Sequence, residues 1–124
     1  MVVVLWNDNI VLAKQPINIY RERARVAIAG GYGNNPYPQS DVIEYVTIAT
    51  TGNTTDFGDL TGTRFDMTGS SNQTRGVICG GSAPGLTGVI DSLEIASTGN
   101  SVDFGDMQVP TMANATSSNG HGGL

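Results

Sequence analysis

The sequence predicts an all-β protein built from a repeated unit of four short antiparallel strands. One stretch occurs twice without a gap at an offset of 47 residues, and 11 of its 18 positions are identical: VIEYVTIATTGNTTDFGD in Val42–Asp59 and VIDSLEIASTGNSVDFGD in Val89–Asp106. Apolar residues alternate within both copies, which is the period of a half-buried strand. The 17 glycines and the many Ser, Thr and Asn residues favour turns over helices. A repeat of this length indicates a supersecondary unit that buries its apolar face by stacking on a copy of itself.

Composition limits the class of protein. With 124 residues, 39% hydrophobic and 14% charged, the chain is expected to fold as one domain rather than remain disordered. Its single cysteine allows no intrachain disulfide. Residues 1–40 carry a balance of +2 and residues 41–124 a balance of −7, so the repeat region is expected to repel nucleic acid.

The first 16 residues differ from the repeat. Val2–Trp6, the turn Asn7–Asn9 and Ile10–Lys14 predict a β-hairpin that could anchor the chain to a neighbour's sheet edge. The apolar start is too short to span a membrane, and it lacks the basic region and cleavage site of a signal peptide. A basic cluster follows at Arg21, Arg23 and Arg25.

The strands of each repeat can be placed in order. An apolar strand closes on a diglycine in both units: Arg25–Ala29 precedes Gly30-Gly31, and Arg75–Cys79 precedes Gly80-Gly81. Ahead of the second one, Phe65–Gly69 predicts a strand that leads into the turn Ser70–Asn72. After the diglycine come the Val-Ile strand, a Thr-Gly-Asn turn in which Gly or Asn takes positive φ, and a last strand that ends in Asp-Phe-Gly-Asp.

The face of the Val-Ile strand that stays apolar in both copies is expected to be half buried. It carries Val42, Glu44, Val46 and Ile48 in the first copy and Val89, Asp91, Leu93 and Ile95 in the second. Residues 17–62 and 63–109 are therefore the two units, and residues 110–124 begin a third. Tyr32–Asp41 is three residues longer than its counterpart Ser82–Gly88, which indicates an exposed loop.

Four antiparallel strands in 47–50 residues is the composition of a β-propeller blade. The diglycine, the Val-Ile strand and the aromatic residue of the last strand resemble the kelch repeat, although Phe57 and Phe104 stand where that pattern usually has Trp. A narrower resemblance rests on the run IEYVTIATTGNTTDFGDLT, on TRGV before the second diglycine, and on the final SSNGHGGL. In these segments the chain resembles kelch-like repeats of virion structural and tail-associated proteins of marine tailed phages.

This resemblance implies a non-enzymatic virion protein on the particle surface, synthesised in the host cytoplasm. The small size of the chain and the lack of a long fibrous segment favour a capsid decoration or spike protein. A tail-fibre or adhesin module that binds host-surface glycan is the alternative, and a kelch-type enzyme is the third possibility. A closed propeller needs four to eight blades. Two blades leave unpaired edges, so we expect a homo-oligomer, with a six-bladed trimer favoured, or docking on other virion proteins.

No catalytic, cofactor-binding or metal site is expected. The acids of the repeated Asp-Phe-Gly-Asp could supply calcium ligands, but turn and strand geometry is the favoured role. One Cys and one His exclude the copper site of kelch-type oxidases; Cys79 is expected in the core and His121 on the surface. Residues expected to shape the units are Gly30, Gly31, Gly80, Gly81, Asp56, Phe57, Gly58, Asp59, Asp103, Phe104, Gly105 and Asp106.

The longest loop and the basic cluster are the candidates for a partner or glycan surface, although a solvated or salt-bridged segment is the favoured interpretation of the arginines. Tyrosines among Asn, Pro and Ser are typical of contact surfaces, with an ordinary exposed loop as the alternative. The residues are Tyr32, Asn34, Asn35, Tyr37, Arg21, Arg23 and Arg25.

Overall fold

A computed structural model describes residues 2–6, 25–33 and 39–120 of the chain. This part of the chain contains eight strands and no helix. The strands are β1 (Val2–Trp6), β2 (Arg25–Gly31), β3 (Ser40–Thr47), β4 (Thr55–Asp59), β5 (Thr68–Ser71), β6 (Arg75–Cys79), β7 (Val89–Glu94) and β8 (Val102–Asp106).

The strands form two four-stranded antiparallel sheets, in the orders β1-β2-β3-β4 (sheet 1) and β5-β6-β7-β8 (sheet 2). Each strand pairs with its neighbours in the chain, so both sheets are simple meanders. The register shifts at the same place in both, between Ile43 and Glu44 and between Ile90 and Asp91. The all-β prediction is confirmed, and the sequence repeat corresponds to a repeat of sheet topology.

The N-terminal strand β1 has the predicted bounds, Val2–Trp6, and belongs to sheet 1. The sequence predicted a segment unrelated to the repeat, whereas β1 pairs with β2 over five residues, from Val2 opposite Ala29 to Trp6 opposite Arg25. Sheet 1 therefore begins before residue 17. The physical reason is that β2 needs a partner on this edge, as β6 has in β5. Ile10–Lys14 lies outside the described residues.

The strand that opens sheet 2 lies further along the chain than predicted. It spans Thr68–Ser71 instead of Phe65–Gly69, while Phe65 makes only an isolated bridge with Ser82. The turn begins at Asn72, whose side-chain Oδ1 accepts hydrogen bonds from the backbone N–H groups of Thr74 and Arg75, both at 2.8 Å. Because these hydrogen bonds make the turn begin at Asn72, β5 continues to Ser71, two residues beyond its predicted end at Gly69.

The core lies between the two sheets. One face of sheet 1 packs against one face of sheet 2, and the connection between them closes the edge. The buried apolar residues are Ala27, Ala29, Ile43 and Phe57 of sheet 1, Leu60 and Met67 of the connection, and Ile78, Leu93 and Ile95 of sheet 2 or directly after β7.

The Val-Ile strand is buried on different faces in the two copies. In sheet 2 the predicted face is buried, with Leu93 2% and Ile95 4% exposed. In sheet 1 the prediction is wrong, because Ile48 on the equivalent face is 52% exposed and the core contains Ile43 from the opposite face. The reason is stacking: each sheet presents one face to the other, and the two contact faces are not the same face of the repeat.

A buried ion pair joins the two sheets. Asp91 of β7 is completely buried and contacts the guanidinium of Arg64, which lies in the connection. Its carboxylate also accepts hydrogen bonds from Thr61, from the hydroxyl at 2.8 Å and from the backbone N–H at 3.3 Å. The residue that corresponds to Asp91 in sheet 1 is Glu44, and it is exposed.

The repeat offers a matched test of this pair. We expect Asp91→Ala to lower the free energy of unfolding by about 3–5 kcal/mol, because Arg64 would be left buried without a counter-ion. Glu44→Ala, the same change at the exposed copy, should alter it by less than about 0.5 kcal/mol. Urea unfolding at low protein concentration measures both. Equal losses for the two variants would contradict a role for burial.

Candidate functional site: the joint between repeated units

The two most strongly repeated segments of the sequence bind each other across the sheets. The Thr-Gly-Asn turn that precedes β8 lies along the outer strand of sheet 1. Gly99 N donates to Phe57 O at 2.7 Å, and Ser101 N donates to Asp59 O at 2.8 Å. Asp59 N donates back to Asn100 Oδ1 at 3.1 Å. The turn of one unit thus recognises the Asp-Phe-Gly-Asp strand of the preceding unit.

This docking explains the glycine of the Asp-Phe-Gly-Asp strand. Gly58 has a φ of +149°, and a Cβ there would lie 2.8 Å from Asn100 N and closer still to the backbone of Gly99. Gly105, its copy in β8, has a φ of +142°, and a Cβ there would have no other residue within 4 Å. The backbone conformation is shared, but only Gly58 has a neighbour that excludes a side chain.

Arg25 belongs to the same joint. Its Nη1 donates to Ile95 O at 3.0 Å, and its guanidinium lies 4.6 Å from the centre of the Tyr45 ring. That ring packs edge-on against Phe57 at 5.9 Å. The sequence placed Arg25 on a partner surface, whereas the structure uses it between the sheets of one chain. We use the term internal joint for three sets of contacts: those between the Thr-Gly-Asn turn and β4, those of Arg25, and the Arg64–Asp91 pair.

The segment that follows sheet 1 and the segment that follows sheet 2 take the same path. Gly31 N donates to Arg64 O at 3.0 Å, and Gly81 N donates to Thr111 O at 2.9 Å, where Thr111 lies 47 residues after Arg64. Asp66 and its counterpart Ala113 both have positive φ, +55° and +53°. Ala113 N donates to Asp66 O at 2.8 Å.

The path continues at Thr116, whose hydroxyl donates to Gly69 O of β5 at 2.8 Å. Residues 107–119 therefore lie on sheet 2 much as residues 60–72 lie on sheet 1. No strand forms in the described residues after β8, so the third unit expected to begin at residue 110 stays a prediction. His121 lies outside the described residues.

Within residues 2–6, 25–33 and 39–120, nothing covers the outer faces of the two sheets, which are copies of the faces that form the internal joint. Phe104 of sheet 2 is 55% exposed, whereas its copy Phe57 is 3% exposed. Two open grooves, of 420 and 340 Å³, lie on either side of Arg75 on this face. Val77 and Phe104 line the larger groove, and Ser92 and Val102 line the smaller one.

The predicted partner surface falls mostly outside the described residues. Tyr32 is exposed and packs edge-on against Phe65, with ring centres 5.3 Å apart. The residues that lie outside are Asn34, Asn35, Tyr37, Arg21 and Arg23.

The repeated acids lie in β4 and β8. In β8 Asp103 Oδ1 accepts a hydrogen bond from Gly105 N at 3.0 Å, which is local strand chemistry. Within residues 2–6, 25–33 and 39–120, no group of three or more His, Cys, Asp or Glu residues is arranged to hold a metal ion.

Cys79 is buried at the end of β6, as the sequence predicted. Burial raises the pKa of the Cys79 thiol, and the positive charge of Arg64 opposes part of that rise. A protonated buried thiol is a poor nucleophile.

Comparison with known proteins adds no relative. No protein-family model and no curated protein matches this chain. No helix in the described part is long and apolar enough to cross a membrane.

Sequence reasoning missed the residues that make the joint specific. Arg64 and Asp91 are two of the positions at which the copies differ, since their counterparts are Thr111 and Glu44. A residue that differs from its copy was the sequence signal for Arg64 and Asp91. The sequence signal for Asn100 was that the Thr-Gly-Asn turn and the Asp-Phe-Gly-Asp strand are repeated together.

The two equivalent glycines give a matched prediction. We expect Gly58→Ala to cost about 1–3 kcal/mol more unfolding free energy than Gly105→Ala, because both share the backbone strain and only Gly58 meets the docked turn. Chemical denaturation at low protein concentration measures the difference. Equal costs would show that the docked turn does not restrict this position.

The thiol gives a pH prediction. The unfolded thiol ionises at its ordinary pKa and the folded thiol at a higher pKa. Well below the ordinary pKa the thiol is protonated in both states, so its contribution to the free energy of unfolding does not change with pH. As pH rises above it, the free energy of unfolding should fall. Urea unfolding from pH 7 to pH 10 should show a smaller fall for Cys79→Ala. Identical pH profiles would contradict the raised pKa.

Proposed function

We propose that this chain is a non-enzymatic structural subunit of a phage virion, built from kelch-like β-repeats and positioned on the particle surface. The single observation that carries the proposal is the internal joint. The most strongly repeated residues of the chain hold one unit against the next. A protein whose repeated residues serve stacking is suited to building a surface.

The blade assignment is supported by topology. Each sheet is a four-stranded meander, and the first strands of the two sheets, β1 and β5, lie beside each other. In a propeller the first strands of successive blades surround the axis in this way.

The position on the particle rests on the resemblance of the repeat to phage virion proteins. A capsid decoration or spike protein is the form we favour, with other virion proteins as partners. The open faces of both sheets support such a role, because β-sheet surfaces of this kind are normally covered by a partner.

A host-glycan-binding module of a tail fibre is the second candidate. Tyr32 favours it, because its ring is 69% exposed and held in place by Phe65. Glycans commonly stack on an aromatic ring that is fixed before binding, since little conformational entropy is then lost.

Two measurements test these functions. Mass spectrometry and antibody labelling of purified phage particles should find the chain in stoichiometric amounts on the capsid surface. Its absence from particles would overturn the virion proposal.

A glycan array with the purified chain, and with Tyr32→Ala as control, should show no specific binding if decoration is the role. Binding that needs Tyr32 would favour the fibre module.

A further inference from the structure

The two open faces match each other as the two halves of the internal joint do. We propose that the outer face of sheet 2 binds the outer face of sheet 1 of a second copy of this chain, head to tail, through the contacts of the internal joint. This deepens the proposed function and rests on its claim that the chain is an assembling subunit. The occupant is a second copy because each open face carries the same strands and turns as one side of an interface that the chain already forms.

The outer strands supply the first half of the match. Within the described residues, Gly52 and Asn53 of the first Thr-Gly-Asn turn make no hydrogen bond to another part of the chain. Their copies Gly99 and Asn100 bind β4. The equivalent edge of β8 is open, and Gly105 has the space that Gly58 uses to admit a turn. Gly52 of one copy would therefore donate to Phe104 O of the next.

Apolar side chains supply the second half. Ile95 is 4% exposed in the internal joint, and its copy Ile48 is 52% exposed on the outer face of sheet 1. The groove of 420 Å³ beside Val77 and Phe104 occupies the place on sheet 2 that corresponds to the receiving side of the internal joint. Docking would bury Ile48 and Phe104 together, as Ile95 and Phe57 are buried within the chain.

Arg75 adds a polar contact of the same kind. It is the copy of Arg25, whose guanidinium donates to Ile95 O. Arg75 lies 5.7 Å from the centre of the Phe104 ring and forms an exposed ion pair with Glu94 at 3.7 Å. From this position it would donate to Ile48 O of the second copy.

Two parts of the internal joint have no equivalent between copies. Ser92 stands in place of Tyr45, so Arg75 and Phe104 lack the ring that Arg25 and Phe57 contact. Thr111 stands in place of Arg64, and Glu44 stands in place of Asp91. The joint between copies would therefore lack the buried ion pair. We infer that association between copies is weaker than stacking within the chain and reversible.

Two segments would compete for the position beside β5. The segment around Thr116 lies against β5, where β1 of a second copy would lie. Thr116 holds this segment through side-chain contacts with Gly69 and Thr68 alone, whereas β1 would arrive as part of sheet 1, in which it pairs with β2 over five residues. We expect β1 to take the position and the segment around Thr116 to give way.

The decisive experiment uses one variant at each end. The wild-type 124-residue chain should associate at micromolar concentration, with a closed trimer of three 12.9 kDa chains expected by mass photometry and sedimentation. Ile48→Asp and Phe104→Asp should each weaken association by about 100-fold or more, because a charge replaces a buried apolar group. An equimolar mixture of the two variants should form a heterodimer and nothing larger, since each retains one intact end.

Leu86→Asp is the matched control, because Leu86 is 54% exposed in the loop between β6 and β7. It should associate like the wild type. A monomeric wild type at 100 μM, or a mixture that stays monomeric, would overturn the proposal. Circular dichroism of each variant separates lost association from lost folding.

Restoring the ion pair between copies is a second test of the proposed contact. Thr111→Arg should tighten association by about 10-fold or more by giving Glu44 of the next copy a partner. Adding Glu44→Gln should remove most of that gain. A gain that survives Glu44→Gln would overturn the proposed pairing. These measurements use purified chain alone, so their failure is distinct from absence of the chain from particles.

Discussion

The arrangement of the two sheets depends on one buried carboxylate. Asp91 has no exposed surface, and its partners Arg64 and Thr61 come from the connection that leaves sheet 1. A buried charge without a partner is far more costly than a weakly packed apolar residue. Sheet 2 can therefore stack stably only where its carboxylate meets this connection, so the ion pair selects one relative position of the sheets.

The joint around this pair explains why the two copies of the repeat are identical at some positions and differ at others. The Thr-Gly-Asn turn and the Asp-Phe-Gly-Asp strand are two halves of one contact, which is why they recur together. Two of their three hydrogen bonds join backbone groups and the third ends on the Asn100 side-chain amide, so they depend on glycine and asparagine rather than on varied side chains. Thr47 and its counterpart Glu94 differ between the copies, and neither takes part in these hydrogen bonds.

The same logic connects the fold to assembly. A repeat that stacks by unlike faces always leaves one face of each kind at its ends, in contrast to a two-fold interface that uses the same face twice. Both kinds of face are present here, with Phe104 at one end and Ile48 at the other. The association that we propose would extend such a subunit by adding copies until rotation closes the ring or another protein covers the ends.

The sequence by itself determined the all-β class, the two units and most strand positions, because alternation, diglycines and turn residues act locally. It also predicted a buried Cys79. It predicted the strand Val2–Trp6 but not its pairing with β2, and it predicted the wrong buried face for β3. Neither depends on local pattern: β1 joins sheet 1 to satisfy the edge of β2, and Ile43 is buried because sheet 2 covers that side. Only the tertiary structure could decide that Arg25 lies between sheets and that Arg64 meets Asp91, because these contacts join residues 70 and 27 positions apart whose proximity follows from stacking.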